Sequence, residues 1–190
     1  MIIFKKYFLL FIIYSVLGWF LEIGWVFASQ KKFVKRGILL GPYCPIYGCG
    51  CLLLITMLDN FKTHPIYLFF LTILICSILE YFGSFVLEKM FGARWWDYTH
   101  YKFNLNGRIC LETMVPFSIM GTLIVYYLNP YLTSKINFNN GYVYFIVIGF
   151  ILDVITTYFV LKNVKGSLVC DSQDNTEEIS NKVKDMIFKR

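Results

Sequence analysis

Long apolar runs, separated by short polar and mostly basic segments, organise this chain. Five stretches are long and apolar enough to cross a bilayer core of about 30 Å: residues 7–28, 39–58, 65–90, 109–128 and 142–161. The third is long enough to tilt or to protrude from the membrane. Only the sequence after Lys162 reads as soluble. There Asp174 and Glu177 fit a capping box, and Ile179, Val183, Met186 and Ile187 recur at helical spacing. Lys189 and Arg190 fall in the last turn, where the helix dipole favours a cation. The pattern predicts an all-α integral membrane protein with a bundle of about five transmembrane helices. Residues 1–165 are expected to form the membrane domain and 166–190 a cytoplasmic tail, with either a short amphipathic helix lying against the membrane or a partner, or a frayed terminus.

Composition agrees: 57% of residues are apolar, 19% aromatic and 16% charged, against about 45–50% apolar and 25% charged in ordinary globular chains. Disordered, collagen-like and small disulfide-stapled classes are excluded. The first stretch follows Lys5 and Lys6 and ends Val26-Phe27-Ala28, like a signal peptide. Its apolar region is too long for one, and it contains Trp19 and Glu22, so it is expected to remain as a span.

Placement gives the net charge of +6 its meaning. With five spans, one face carries Lys5, Lys6, Lys62 and Lys135. The other carries Lys31, Lys32, Lys35, Arg36, Lys89, Arg94, Lys102, Arg108, Lys162 and Lys165. Basic residues accumulate on the cytoplasmic side. The expected protein is therefore a multi-pass plasma-membrane protein with its N-terminus outside and its C-terminus in the cytoplasm. A re-entrant second segment is the alternative, since Lys5 and Lys6 would themselves prefer the cytoplasm. The charge is an orientation signal, and no nucleic-acid partner is expected.

The informative residues are those a bilayer disfavours. Glu22, Glu80, Glu112 and Asp153 lie inside the expected spans, and Glu88 lies near the end of the third. A charged carboxylate at mid-membrane costs about 2.5–3.5 kcal/mol on insertion scales, so these acids should face one another, basic groups or a hydrated cavity, or else be protonated. Glu80, Ser84 and Glu88 follow an i, i+4, i+8 spacing and share a helix face. Arg36, Arg94 and Arg108 are the nearest bases in depth. The reading is a polar substrate or ion vestibule open to the cytoplasm, built from Glu22, Glu80, Glu88, Arg94, Asp97, Arg108 and Glu112. Internal salt bridges that merely fix helix register are the competing reading.

The second stretch opens Gly41-Pro42-Tyr43-Cys44-Pro45-Ile46-Tyr47-Gly48, with Gly50 close behind. Two prolines and three glycines so close together disfavour a regular helix, and irregular backbone survives at membrane depth only when packed in protein or lining a cavity. A broken helix is expected, of the kind that leaves backbone groups for substrates or ions. A cytoplasmic loop followed by a helix whose start is displaced towards Cys49, leaving that span short, is the alternative. Cys44, Cys49 and Cys51 form no CxxC pair, and His64 and His100 lie elsewhere. Packing thiols are expected, with no metal site and no cofactor.

The segment from Phe91 to Arg108 is dense in aromatic and basic residues. Trp95, Trp96, Tyr98 and Tyr101 suit the headgroup level, and Asn106-Gly107 fits a turn leading into the fourth span.

Taken together, these motifs carry a family resemblance. They are Gly18-Trp19 with Glu22, Lys31-Lys32-Phe33-Val34 with Arg36-Gly37, and Gly41-Pro42-Tyr43-Cys44-Pro45-Ile46-Tyr47-Gly48. Leu79-Glu80-Tyr81, Leu87-Glu88-Lys89, Ala93-Arg94-Trp95-Trp96-Asp97-Tyr98, Asn106-Gly107-Arg108 and Cys110-Leu111 continue the pattern. Over about residues 14–125 the chain resembles the putative ABC-transporter permease family of the CmpB type. The resemblance implies a bacterial plasma-membrane protein of several spans with a role in transport.

The chain has no Walker A motif and no recognised catalytic motif, so the reading leans away from an enzyme. A permease subunit or membrane substrate-binding component is the leading expectation, with the lipid bilayer and a separate ATPase or other membrane subunit as candidate partners. The alternatives are a membrane-embedded enzyme acting on a lipid or isoprenoid at the cytoplasmic interface, and a scaffold or regulator of a membrane complex.

Overall fold

The computed structural model describes residues 2–31, 33, 36–136, 141–164 and 182. Four helices in it are long and apolar enough to cross a membrane. Helix α1 spans Ile2–Gln30, and α2 covers only Pro45–Met57. Helix α3 spans Pro65–Phe91. Two short strands follow, β1 at Asn104–Leu105 and β2 at Ile109–Cys110. Helix α4 (Leu111–Leu123) runs through a π-helical turn, Ile124–Leu128, into α5 (Asn129–Lys135), so that Leu111–Lys135 acts as one membrane-crossing rod. Helix α6 is Val143–Val164. The amphipathic helix expected over 174–190 falls, apart from Lys182, outside the described residues.

Proline and glycine set the boundaries. Pro45 and Pro65 begin α2 and α3, where a missing N–H removes no helical bond. Helix α3 stops at Gly92, whose φ of 75° gives the left-handed cap that glycine adopts without strain. Pro130 has no N–H for the carbonyl one turn earlier, and the helix takes up the loss in the π-helical turn just upstream.

The second apolar stretch is the element that departs most from a plain span. Its helix has 13 residues, about 20 Å at 1.5 Å per residue, against the roughly 30 Å of a hydrocarbon core. Residues 36–44 lead into it without helical structure. A non-helical lead-in thus precedes one short helix, as the alternative of a loop and a shortened span has it, although the helix starts at Pro45 and not near Cys49.

Helix α2 packs antiparallel to α1: Tyr47 meets Gly18, Gly48 meets Phe11 and Ser15, and Cys51 packs on Leu10 and Tyr14. Lipid provides little hydrophobic drive between helices, so close backbone approach at small residues does the work. A β-carbon on Gly48 would lie 2.6 Å from the Phe11 carbonyl oxygen, which has nowhere to go.

The chain then reaches the opposite end, where Leu54, Leu58, Leu68 and Val125 form one buried cluster. At the first end Phe91, Ala93, Trp95 and Leu161 form another. The ends of α3 and α6 therefore lie together beside residues 38–40. The outer surface is apolar, with Trp25 and Phe145 exposed by 77% and 78% respectively. Lipid contact accounts for so much exposed hydrocarbon on helices of this length.

Candidate functional site

The site grows from the irregular lead-in to α2. Inside a membrane, an unbonded backbone amide is a liability of a few kcal/mol. Asp153, on α6, meets two of them: Leu40 N–H donates to Oδ1 at 3.0 Å and Gly41 N–H to Oδ2 at 2.7 Å. The Tyr43 hydroxyl donates to Oδ2 at 2.6 Å, and the Thr157 hydroxyl to Oδ1 at 2.9 Å. Four donors converge on one carboxylate with no cation among them. Asp153 thereby acts as a backbone cap for the broken segment.

A second acid fixes the same segment to α1. Arg36 donates to Glu22 Oε2 from Nε at 3.2 Å and from Nη2 at 3.1 Å. The Tyr47 hydroxyl donates to Glu22 Oε1. Trp19 Nε1 donates to the Arg36 carbonyl at 3.0 Å, and Cys44 N–H to the Ser15 carbonyl at 2.9 Å. Glu22 is thus shared between a guanidinium and a phenol.

A third group sits on α3 and on the segment that follows it. Glu88 accepts from Arg94 Nε at 3.1 Å and from Arg108 Nη2. Arg108 is buried, donates from Nη1 to Ser84 Oγ at 3.1 Å, and lies over the rings of Tyr81 and Phe85 at 5.7 and 5.4 Å. Arg94 also donates to the Asn106 carbonyl at 3.2 Å and lies 3.8 Å from Asp97. The turn that presents Arg108 is closed by its own N–H bonding to the Leu105 carbonyl at 3.0 Å. Asn106 and Gly107 take φ of 54° and 66° there, as a type I′ turn requires. The Asn-Gly signal in the sequence corresponds to this turn.

Glu80 lies one helical turn before Ser84 on α3, about 6 Å along the axis. It stands within electrostatic range of Glu22, Tyr47 and Tyr98, and its Oε2 is buried with no hydrogen-bond partner. It lines a cavity of about 80 Å³ together with Tyr47, Cys76 and Phe117.

The expected site residues separate accordingly. Arg36 and Tyr47 meet at Glu22, whereas Glu88, Arg94, Asp97 and Arg108 gather beside the hairpin. Glu80 stands on the face of α3 between them. Glu112 is not brought in: it is exposed on the first turn of α4. Gly41 and Tyr43 are held by Asp153, Pro42 lies between them, Pro45 opens α2, and Gly48 packs on α1.

Tyr98 belongs to the aromatic group expected at the headgroup level. Its partly buried side chain has Thr113, Glu80 and Glu22 within electrostatic range. Burial first, and then the Glu80 and Glu22 carboxylates, push its hydroxyl well above its ordinary pKa. The signal in the sequence was Asp97 beside it, a charge that an aromatic belt does not explain. Asp153 and Arg36 complete the site. Both were conspicuous in the sequence, as an acid within an apolar run and as a base at the depth of Glu22. Among the described residues, no three His, Cys, Asp or Glu side chains gather as metal ligands.

Long apolar helices with partly buried ion pairs between them, and a short second helix behind an irregular lead-in, define a multi-pass helical membrane protein. Its sequence matches the family described as Putative ABC-transporter type IV over residues 9–161, and the chain belongs to that family. No curated protein and no solved structure matches it.

Proposed function

We propose that this chain is the membrane-embedded component of a transport system, a permease subunit or substrate-binding component, with a polar vestibule on its cytoplasmic side. The observation that carries the reading is the position of the broken segment 36–44. It enters the helical bundle where Glu22, Arg36 and Tyr47 meet, and Glu80 stands close by with an unpartnered oxygen. Irregular backbone beside intramembrane charge is how a membrane protein makes room for a polar substrate in a low-dielectric medium.

In this reading Glu22, Glu80 and Glu88 form the acidic wall. Arg94 and Arg108, held by Glu88, set the potential at its mouth, and Asp97 braces Arg94. The end bearing residues 36–44 and the 92–110 hairpin faces the cytoplasm, because the basic excess lies there. The energy source is a separate nucleotide-hydrolysing subunit, as the family description suggests.

Mild-detergent purification from the native membrane, with cross-linking, tests this directly. An ATPase subunit recovered with the chain supports the reading. No such partner, together with unchanged solute uptake after deletion of the chain, overturns it.

A further inference from the structure

We infer that the crevice beside Glu80 binds the head of an alkylammonium amphiphile, with the ammonium against the carboxylate and the chain directed to lipid. The inference names the substrate class for part of the vestibule proposed above, and it rests on that reading only for the biological role of the bound molecule.

Three features of the crevice converge. The first is its charge. Glu80 Oε2 is buried and unpartnered, while Glu22, its acidic neighbour, has Arg36 and Tyr47 as partners. Ionised, Glu80 would add a second negative charge beside Glu22 and the Arg36 guanidinium, and an incoming monocation would offset it. A buried carboxylate gains most from a partner that brings both charge and N–H donors.

The second feature is aromatic. Tyr47 and Phe117 both line the crevice, with ring centroids 6.0 Å apart and planes at 87°. The two rings meet edge to face, and the aromatic surface left towards the crevice adds a quadrupole attraction for an organic ammonium to that of the carboxylate. The Tyr47 hydroxyl donates to Glu22, so its oxygen remains an acceptor for an ammonium N–H. A bare metal ion fits poorly, because calcium or magnesium seeks six or more oxygen ligands and the wall offers one carboxylate and one phenol.

The third feature is the apolar remainder. Leu21 and Met120 line the crevice and are also exposed on the outer surface, by 46% and 37% respectively. The crevice therefore reaches the lipid-facing side between α1 and α4. A cavity of about 80 Å³ accommodates a head group and the first carbons of a chain, and the rest continues into hydrocarbon.

Equilibrium dialysis on the full chain in zwitterionic nanodiscs, comparing dodecylammonium with dodecanol, tests the assignment. The wild type should bind dodecylammonium about tenfold more tightly than the neutral alcohol, after correction for partitioning into empty nanodiscs. Glu80→Gln should erase that preference, and Met120→Trp, which narrows the crevice but keeps the carboxylate, should weaken both ligands. Thermal unfolding without ligand establishes that each variant is folded. If Glu80→Gln does not fold, Met120→Trp alone decides, and unchanged dodecylammonium binding in it overturns the site. Equal binding of the two probes by the wild type, or a preference that survives in Glu80→Gln, also overturns it. Because the chain is tested without a transport partner, a positive result stands even where no ATPase is recovered.

Discussion

Arg36 grips Glu22 with two nitrogens, the closer at 3.1 Å, and so ties the end of α1 to the start of the broken segment. Both side chains are largely shielded, with 15% and 22% of their side-chain surface exposed. Removing either partner takes the opposite charge away from the other at a shielded site. Glu22→Gln and Arg36→Gln should each destabilise the chain by about 1–3 kcal/mol, and the double variant should lose less than the sum. A double-mutant cycle on unfolding in detergent reads the coupling. Additive losses would mean that the pair contributes nothing beyond its separate contacts.

The four donors around Asp153 respond differently to its two simplest replacements. Asp153→Asn keeps one carbonyl acceptor, whereas Asp153→Leu keeps none, so the loss should grow from Asn to Leu by roughly 1–3 kcal/mol. A cysteine placed at position 40 should become labelled faster in the Leu variant as the segment loosens. Equal labelling in the wild type and both variants would show that something else holds residues 40 and 41.

Close approach of α1 and α2 gives a paired test. Gly48→Ala drives a β-carbon against the Phe11 carbonyl and the Ser15 hydroxyl, at 2.6 and 2.3 Å, and should cost about 1–3 kcal/mol. Gly24→Ala, with nothing within 4 Å, should be neutral. Thermal unfolding of the two variants side by side separates local crowding from a general intolerance of added bulk.

Arg108 presents a planar fork to Ser84 and Glu88 while lying over two rings, which a lysine cannot reproduce. Arg108→Lys should therefore loosen the 92–110 hairpin despite the retained charge. Limited proteolysis in membrane vesicles should cut within this hairpin several times faster than in wild type, on the order of the 1–3 kcal/mol expected for lost charge-assisted bonds. An unchanged cleavage rate would mean that Trp96, bonded to the Arg108 carbonyl at 3.1 Å, suffices to hold it.

Orientation is open to direct measurement in a background without native cysteines. Lys102 and Lys135 are exposed near opposite ends of the bundle. A cysteine at 135 should react with an impermeant thiol reagent in intact cells, and one at 102 only after the membrane is opened. The reverse pattern would invert the placement of the vestibule.

The spans were legible because a bilayer demands long apolar runs, and each expected run has a helix within or across it. Pro42, Pro45 and the nearby glycines announced a break, since no other residues so reliably disfavour helix. Rotation about each helix axis was not legible. Glu112 and Glu80 both look like intramembrane acids in one dimension, yet one is exposed and the other faces the interior. Helices that are apolar on every side carry no stripe to fix which way an acid points. The partner of Leu40 and Gly41 was equally hidden, because nothing local to Asp153 names a loop in the first quarter of the chain.

That separation sets an order of assembly. Gly41 lies 112 residues before its acceptor, so at about 5–20 residues per second the ribosome needs roughly 6–20 s to deliver Asp153 after the lead-in has emerged. Through that interval the unbonded amides remain better satisfied by water than by lipid, and the lead-in has reason to wait at the interface. Insertion of the last described helix is then the event that lets the first loop sink, so that the chain closes in the reverse of the order in which it is made.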